Sequence, residues 1–395
     1  SGGAEAGEAG TGSLCGDGNR NPLTEECDRG TITGSVLCSS TCRRLESTAW
    51  TAWTNAFPPA SDTTPARHMG AGVHPVASNF NHHALVTESR TSPGRVFVTV
   101  TRTNGVPSGN FVTGLDKPPA FHADPVVAPL GVDGFVAAWT ASAVGGDGDE
   151  LGIAMQTFTA TSAGPVVFAN TQTAFGQRRP DILATDEGIV VAWEDQADLD
   201  TGPDIHIRSF SSTLAGGSES ILAGTTDAET RVALAPFGSS YVAAWRASAD
   251  GLERIRVQKP GGPVVTLSAH VGADAEDAPA LVRISSTQVL VAYARREDDV
   301  TRLRAAIVDV DAGTVTEQSL IPTPSGYDAE HSPSLTSIGS GDIFLAWTAR
   351  QHVLEAEGDD TFLQQLVIDD DVISFTGMTR HFPRAPVAGT DQRRL

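Results

Sequence analysis

Five apolar runs, each closed by an aromatic residue, punctuate the chain. They read Phe135-Val-Ala-Ala-Trp139, Ile189-Val-Val-Ala-Trp193, Tyr241-Val-Ala-Ala-Trp245, Val289-Leu-Val-Ala-Tyr293 and Ile343-Phe-Leu-Ala-Trp347. Runs this short and this continuously apolar fit strands buried on both faces. Each is followed by a segment in which apolar and polar residues alternate, as in Asp204-Ile-His-Ile-Arg-Ser-Phe210 or Arg254-Ile-Arg-Val257, which fits a strand with one wet face. A weaker fourth segment, such as Pro165-Val-Val-Phe168 or Pro263-Val-Val-Thr-Leu267, closes several units. Gly, Asp, Ser and Thr separate the segments, as hairpin turns require.

The unit also has a fixed beginning. Pro125, Pro180, Pro279 and Pro333, with Arg231 in their place once, stand about fourteen residues before the aromatic, and the whole unit repeats about every fifty residues. A degenerate copy starts at Pro75 and reaches Ala84-Leu-Val-Thr87, and another first strand opens at Pro386-Val-Ala388. Short strands at this period predict an all-β chain folded as a β-propeller, whose sheets stack face to face around an axis and leave only short edges. The first-strand count points to seven blades, the last completed by N-terminal residues such as Thr48-Ala-Trp50-Thr-Ala-Trp53; six blades is the alternative. Because the aromatic residues recur in phase with the fold, they are expected to pack between blades rather than to stack on a ligand.

The chain divides into a flexible linker at 1–14, a small cysteine-rich module at 15–43 and the propeller at 44–395. All four cysteines, Cys15, Cys27, Cys38 and Cys42, fall in the module, which predicts two disulfides formed in an oxidising compartment. Three pairings are open, and a zinc site is the competing reading, weakened by the lack of paired Cys-x-x-Cys knuckles. The net charge of −21 over 395 residues argues against nucleic acid and anionic membrane surfaces as partners, and no apolar run is long enough to span a bilayer.

Cys15-Gly-Asp-Gly-Asn-Arg-Asn-Pro, Glu25-Glu-Cys-Asp28 and Cys38-Ser-Ser-Thr-Cys42-Arg together resemble the myxobacterial cysteine-rich repeat. The match departs from that family over Arg29-Gly-Thr-Ile-Thr-Gly-Ser-Val-Leu37, where the family carries further acidic and glycine residues. The resemblance implies an extracellular setting and a lipoprotein whose acylated cysteine preceded Ser1; it implies no catalysis. Val191-Ala-Trp-Glu-Asp195 with Asp204-Ile-His-Ile-Arg-Ser-Phe210 is similar to repeats of large bacterial surface proteins, which supports the fold.

Two places offer chemistry. Asp198, Asp200 and Asp204, with Gly202 between them, are spaced so that carboxylates on one turn could supply oxygens to calcium; a solvated acidic turn is the competing reading. The residues just before each first strand should stand at one height around the axial mouth: His74, His122, Arg178, Arg179, Glu229, Arg231, Asp277, His331 and Arg384. Imidazoles and guanidiniums there would suit a carboxylate, a sulfate or a metal. Signatures of known propeller enzymes are missing: Ser248-Ala-Asp-Gly-Leu252 does not complete a sialidase Asp-box, and no Gly-x-Ser-x-Gly elbow occurs. The sequence therefore points to a secreted or surface protein that binds an extracellular glycan, peptide or partner subunit on a propeller face. An extracellular polysaccharide hydrolase or lyase working at the axial mouth, and a structural subunit of an extracellular assembly, are the alternatives.

Overall fold

The computed structural model describes residues 37–38, 44–45, 67–73, 82–89, 95–102, 107–112, 122–131, 134–142, 150–185, 187–196, 202–267, 270–271, 279–297, 300–322, 327–338, 342–351 and 359–382. These residues contain strands and no helix. A two-stranded ribbon, β1 (Leu37–Cys38) and β2 (Arg44–Leu45), precedes six antiparallel sheets in which each strand pairs with the next. The first sheet is β3 (Arg67–Val73), β4 (His82–Ser89), β5 (Arg95–Arg102) and β6 (Pro107–Val112). The second is β7 (His122–Leu130), β8 (Gly134–Ser142), β9 (Leu151–Thr159) and β10 (Val167–Phe168). The third is β11 (Gln177–Thr185), β12 (Gly188–Asp195), β13 (Asp204–Phe210) and β14 (Gly216–Ala223). The fourth is β15 (Ala228–Phe237), β16 (Ser240–Ala249), β17 (Leu252–Gln258) and β18 (Val265–Thr266), with β19 (His270–Val271) also beside β17. The fifth is β20 (Ala280–Arg283), β21 (Gln288–Glu297), β22 (Val300–Asp309) and β23 (Thr314–Leu320), and the sixth is β24 (Tyr327–Ile338), β25 (Asp342–Gln351), β26 (Asp359–Asp369) and β27 (Val372–Phe382).

First strands of successive sheets lie against one another from β3 through β7, β11, β15 and β20 to β24, so they form the inner wall of a β-propeller. Both faces of the second strands β8, β12, β16, β21 and β25 are buried along their apolar runs. In β8, Phe135, Ala137, Trp139 and Ala141 pack on the first sheet, whereas Val136 and Ala138 pack on the third. The pattern repeats: Trp193 seals the third sheet against the second, Trp245 the fourth against the third, Tyr293 the fifth against the fourth and Trp347 the sixth against the fifth. Each aromatic closure thus packs between blades, at most 2% exposed.

The proline position has a structural cause. Pairing between first and second strands slips between Ala123 and Val126, Arg178 and Asp181, Thr230 and Ala233, and His331 and Ser334. Each slip is a β-bulge whose residue sits in the left-handed region: Asp124 at φ +50°, Arg179 at +52°, Arg231 at +58° and Ser332 at +52°. Three of the four precede a proline, which has no N–H to lose from the ladder and so is accommodated at a bulge.

In the first sheet the inner strand is Arg67–Val73, not a strand opening at Pro75 as the sequence pattern suggested. Its pairing with β4 slips between His68 and Ala71, so the backbone of His68 takes the register step that Arg178 and His331 take elsewhere. The expected closing strand at Pro386-Val-Ala388, its partner at Thr48–Trp53, and Cys15, Cys27 and Cys42 lie outside the described residues, so they leave the choice between seven and six blades where the sequence put it. Cys38 lies in β1.

Candidate axial site at the inner-strand bulges

The bulge sets which residues face the mouth and which turn into the wall. Two positions before the left-handed bulge residue, His122, Gln177, Glu229 and Glu330 are all buried. His122 accepts the indole N–H of Trp139 on Nδ1 at 3.0 Å. Gln177 bonds Asn170 and the Ala174 carbonyl. Glu229 accepts from Thr225 Oγ1 at 2.5 Å and from Arg256 Nη1 at 3.1 Å, and Glu330 accepts from Arg302 Nη1 and from the Leu303 N–H, both at 2.8 Å. Of the nine residues the sequence placed around the mouth, His122 and Glu229 therefore point into the wall.

Arg178, Arg179, Arg231 and His331 occupy the next two steps and are partly exposed. His331 is held by Thr348, whose hydroxyl lies 2.7 Å from its Nδ1. His74, Asp277 and Arg384 lie outside the described residues, as do Asp198 and Asp200 of the expected calcium turn; Asp204 opens β13.

One residue type was missing from that reading: the residue directly after each aromatic closure. Thr140 follows Trp139, and its hydroxyl accepts the Arg179 N–H of the next blade at 3.0 Å while donating to Asp124 at 3.2 Å. Glu194 follows Trp193 and accepts the Arg231 N–H of the next blade at 2.9 Å. The left-handed bulges at Arg179 and Arg231 are thus each anchored by a side chain of the blade before. A polar residue at the end of an otherwise apolar run was the available signal.

Glu194 does more than anchor. Its fully buried carboxylate also accepts from Arg178 Nε and from Arg179 Nη1, each at 3.0 Å. The two arginine side chains remain 31% and 30% exposed. Gln196 holds Arg178 from the far side when its amide oxygen faces the guanidinium, at 2.9 Å from Nη2. Two positive charges share one negative charge here, inside a chain of net charge −21. A guanidinium carries five donors, and neither spends all of them on Glu194, so the pair can take a carboxylate or sulfate by forked hydrogen bonds.

Asp181 lies two residues past the same bulge. Its Oδ1 accepts the Ile182 N–H at 2.9 Å, and its Oδ2 accepts the Leu234 N–H of β15 at 2.6 Å. Burial outweighs these two bonds and pushes its carboxyl up from 3.8 to about 6. Asp181 shares β11 with Arg178 and Arg179, and its raised pKa makes it the candidate acid of that strand.

No protein-family model matches this chain, and no curated protein is similar to it. Solved structures share its architecture. The NanB sialidase of Streptococcus pneumoniae superposes with a TM-score of 0.50 at 9% identity, over 75% of this chain and 67% of the sialidase. A protein of unknown function from Dyadobacter fermentans gives a TM-score of 0.47 at 13% identity, over 73% and 95%. A thermostable family-43 glycoside hydrolase gives 0.41 at 13% identity, over 68% and 97%. At these identities the likeness is one of fold.

Proposed function

We propose that the protein is an extracellular propeller that binds an acidic polysaccharide at the mouth of its inner strands and hydrolyses it. The observation that carries this reading is the Arg178–Arg179 pair held on buried Glu194, with Asp181 on the same strand. The guanidiniums supply recognition of an anionic sugar, and Asp181 supplies a proton donor for the leaving oxygen. The propeller fold shared with a sialidase supports it.

The test is reducing-end release from a panel of uronate-bearing, sialylated, sulfated and neutral polysaccharides, with binding to each followed by affinity electrophoresis. Cleavage should be confined to acidic polymers. The R178A/R179A double variant should raise KM at least about tenfold, and D181N should lower kcat by about a hundredfold or more. Loss of binding to every acidic polymer in the wild-type protein would overturn the reading.

A second reading has an observation of its own. Both oxygens of Asp181 are occupied by backbone N–H groups, one from the next blade, which is how a purely structural carboxylate is held. Under that reading the protein binds the acidic polymer and releases no reducing ends, and D181N changes stability alone.

A further inference from the structure

A second cluster lies on the face of the third sheet that meets the second, one residue along β12 from Glu194. Asp195 ends β12, His206 lies in β13 and Glu219 in β14, so three adjacent strands each contribute one side chain. His206 Nδ1 is 2.7 Å from Glu219 Oε1 and 3.8 Å from Asp195 Oδ2. One ligand atom from each residue falls within 4.8 Å of the other two. The side chains of Asp195, His206 and Glu219 are 1%, 12% and 8% exposed, so the cluster is enclosed yet touches solvent.

We infer that Asp195, His206 and Glu219 form a binding site for a divalent transition-metal ion of the zinc type. Three protein ligands and one open position make the usual tetrahedral set of a solvent-reachable zinc site. Zinc bonds of about 2.0–2.1 Å in a tetrahedron place ligand atoms about 3.3 Å apart. The 2.7 and 3.8 Å from His206 to the two carboxylates bracket that separation, so each of these two distances need change by only about half an ångström. Two carboxylates balance the ion's charge. The imidazole selects zinc-type ions over calcium, which takes six or more oxygens.

The ligands are braced from outside the cluster. Glu219 Oε2 accepts both the N–H and the hydroxyl of Thr171, each at 2.6 Å, and Thr171 belongs to the segment that links the second sheet to the third. Such outer contacts orient ligands and contribute about ten- to a hundredfold in metal affinity. Arg208 is turned away: its Nη1 donates to the Ala169 carbonyl and its Nε to Gly217. An ion here would join three strands of one blade beside its contact with the blade before. Binding displaces the proton held between Nδ1 and Oε1, and that proton goes to buffer.

The experiment uses the full chain, stripped with a chelator, titrated calorimetrically with Zn²⁺ and separately with Co²⁺ and Ca²⁺. The wild-type protein should take up one equivalent of Zn²⁺ that H206Q and E219Q lack, and Co²⁺ should give a visible tetrahedral absorption that both variants lose. T171A, which leaves all three ligands in place, should bind about tenfold more weakly. Circular dichroism of each variant in chelator separates a folding defect from a binding defect, and T171A with the ion comparison decides should H206Q fail to fold. Equal stoichiometry in the wild-type protein and H206Q would overturn the assignment, as would saturation by Ca²⁺ and not Zn²⁺, or no saturable binding at all.

Discussion

Asp181 should make the propeller less stable as pH rises through mildly acidic values, and the size of the effect can be worked from its surroundings. Its carboxyl titrates at about 6 in the folded protein, against 3.8 in a solvated chain. The folded state therefore binds more protons than the unfolded state between those values, and linkage makes stability fall with pH there. Below 3.8 the group is protonated in both states and its contribution is complete; above about 6 that contribution is lost. A shift of this size corresponds to about 3 kcal/mol. The perturbation is Asp181→Ala, and the quantity is the difference in unfolding free energy between wild type and variant, from urea titrations at steps between pH 3.5 and pH 7.5. Removing the side chain leaves the Ile182 and Leu234 N–H groups without their partner, but that penalty is the same at every pH and drops out of the slope. Other titrating groups cancel in the difference as well. The wild-type advantage should shrink by about 3 kcal/mol across the range, by at most about 1.4 kcal/mol per pH unit. A flat difference, or one that grows with pH, would refute the claim that burial rather than hydrogen bonding controls this acid.

Three further outcomes follow from the same structure. Glu194→Thr, which puts the residue found at Thr140 into the same role, should keep the Arg231 anchor and the fold, lower stability by about 1–3 kcal/mol in urea unfolding, and weaken acidic-polymer binding, because the two arginines lose their shared clamp; unchanged binding would separate recognition from this cluster. Trp139→Phe should cost about 2 kcal/mol in the same measurement, because the buried His122 Nδ1 loses the indole N–H along with some packing; a cost near zero would show that this bond contributes nothing net. The β26–β27 turn uses Asp370 at φ +45° and Asp371 at φ +63°, so Asp370→Asn, which leaves the bond from Gln288 Nε2 to Asp371 in place, should raise stability by about 0.5 kcal/mol, read as a higher melting temperature.

How far the sequence reached depends on how local each signal is. The second strand needs only a run of apolar residues, so Phe135–Trp139 and its copies could be recognised at sight, along with the packing of their aromatic ends. The recurring proline marked a real position, but its meaning as a bulge with a left-handed residue depends on cross-strand pairing that no single strand displays. That bulge separates His122 and Glu229, which turn into the wall, from Arg178, Arg179 and Arg231, although in sequence they all precede a first strand. The first sheet's inner strand was misplaced because Arg67–Val73, with its two glycines, offers neither a proline nor an apolar run. Asp195, His206 and Glu219 meet because His206 lies opposite Trp193 on β12 and Ile221 on β14, so that Asp195 and Glu219, each two residues along its strand, reach it diagonally. Glu219 itself belongs to a polar fourth strand that carries no pattern to read.

The bulges explain why the mouth can vary without disturbing the blades. A left-handed non-glycine residue costs on the order of 1–3 kcal/mol and persists only where its surroundings fix it. At Arg179 and Arg231 the fixing is done by a cross-blade bond from the bulge N–H to the side chain that follows the aromatic of the preceding blade. That bond asks only for an acceptor. Thr140 supplies one with no charge, and Glu194 supplies the same bond with a full charge buried beside the axis. A buried carboxylate needs compensation, and one arginine would meet that need. Arg178 and Arg179 both attend Glu194, and each keeps nearly a third of its side chain in solvent. The second guanidinium is surplus to anchoring and surplus to neutralisation, in a chain that is otherwise strongly acidic. One positive charge is therefore left that Glu194 does not neutralise, and a ligand of negative charge is what the proposed site would set against it.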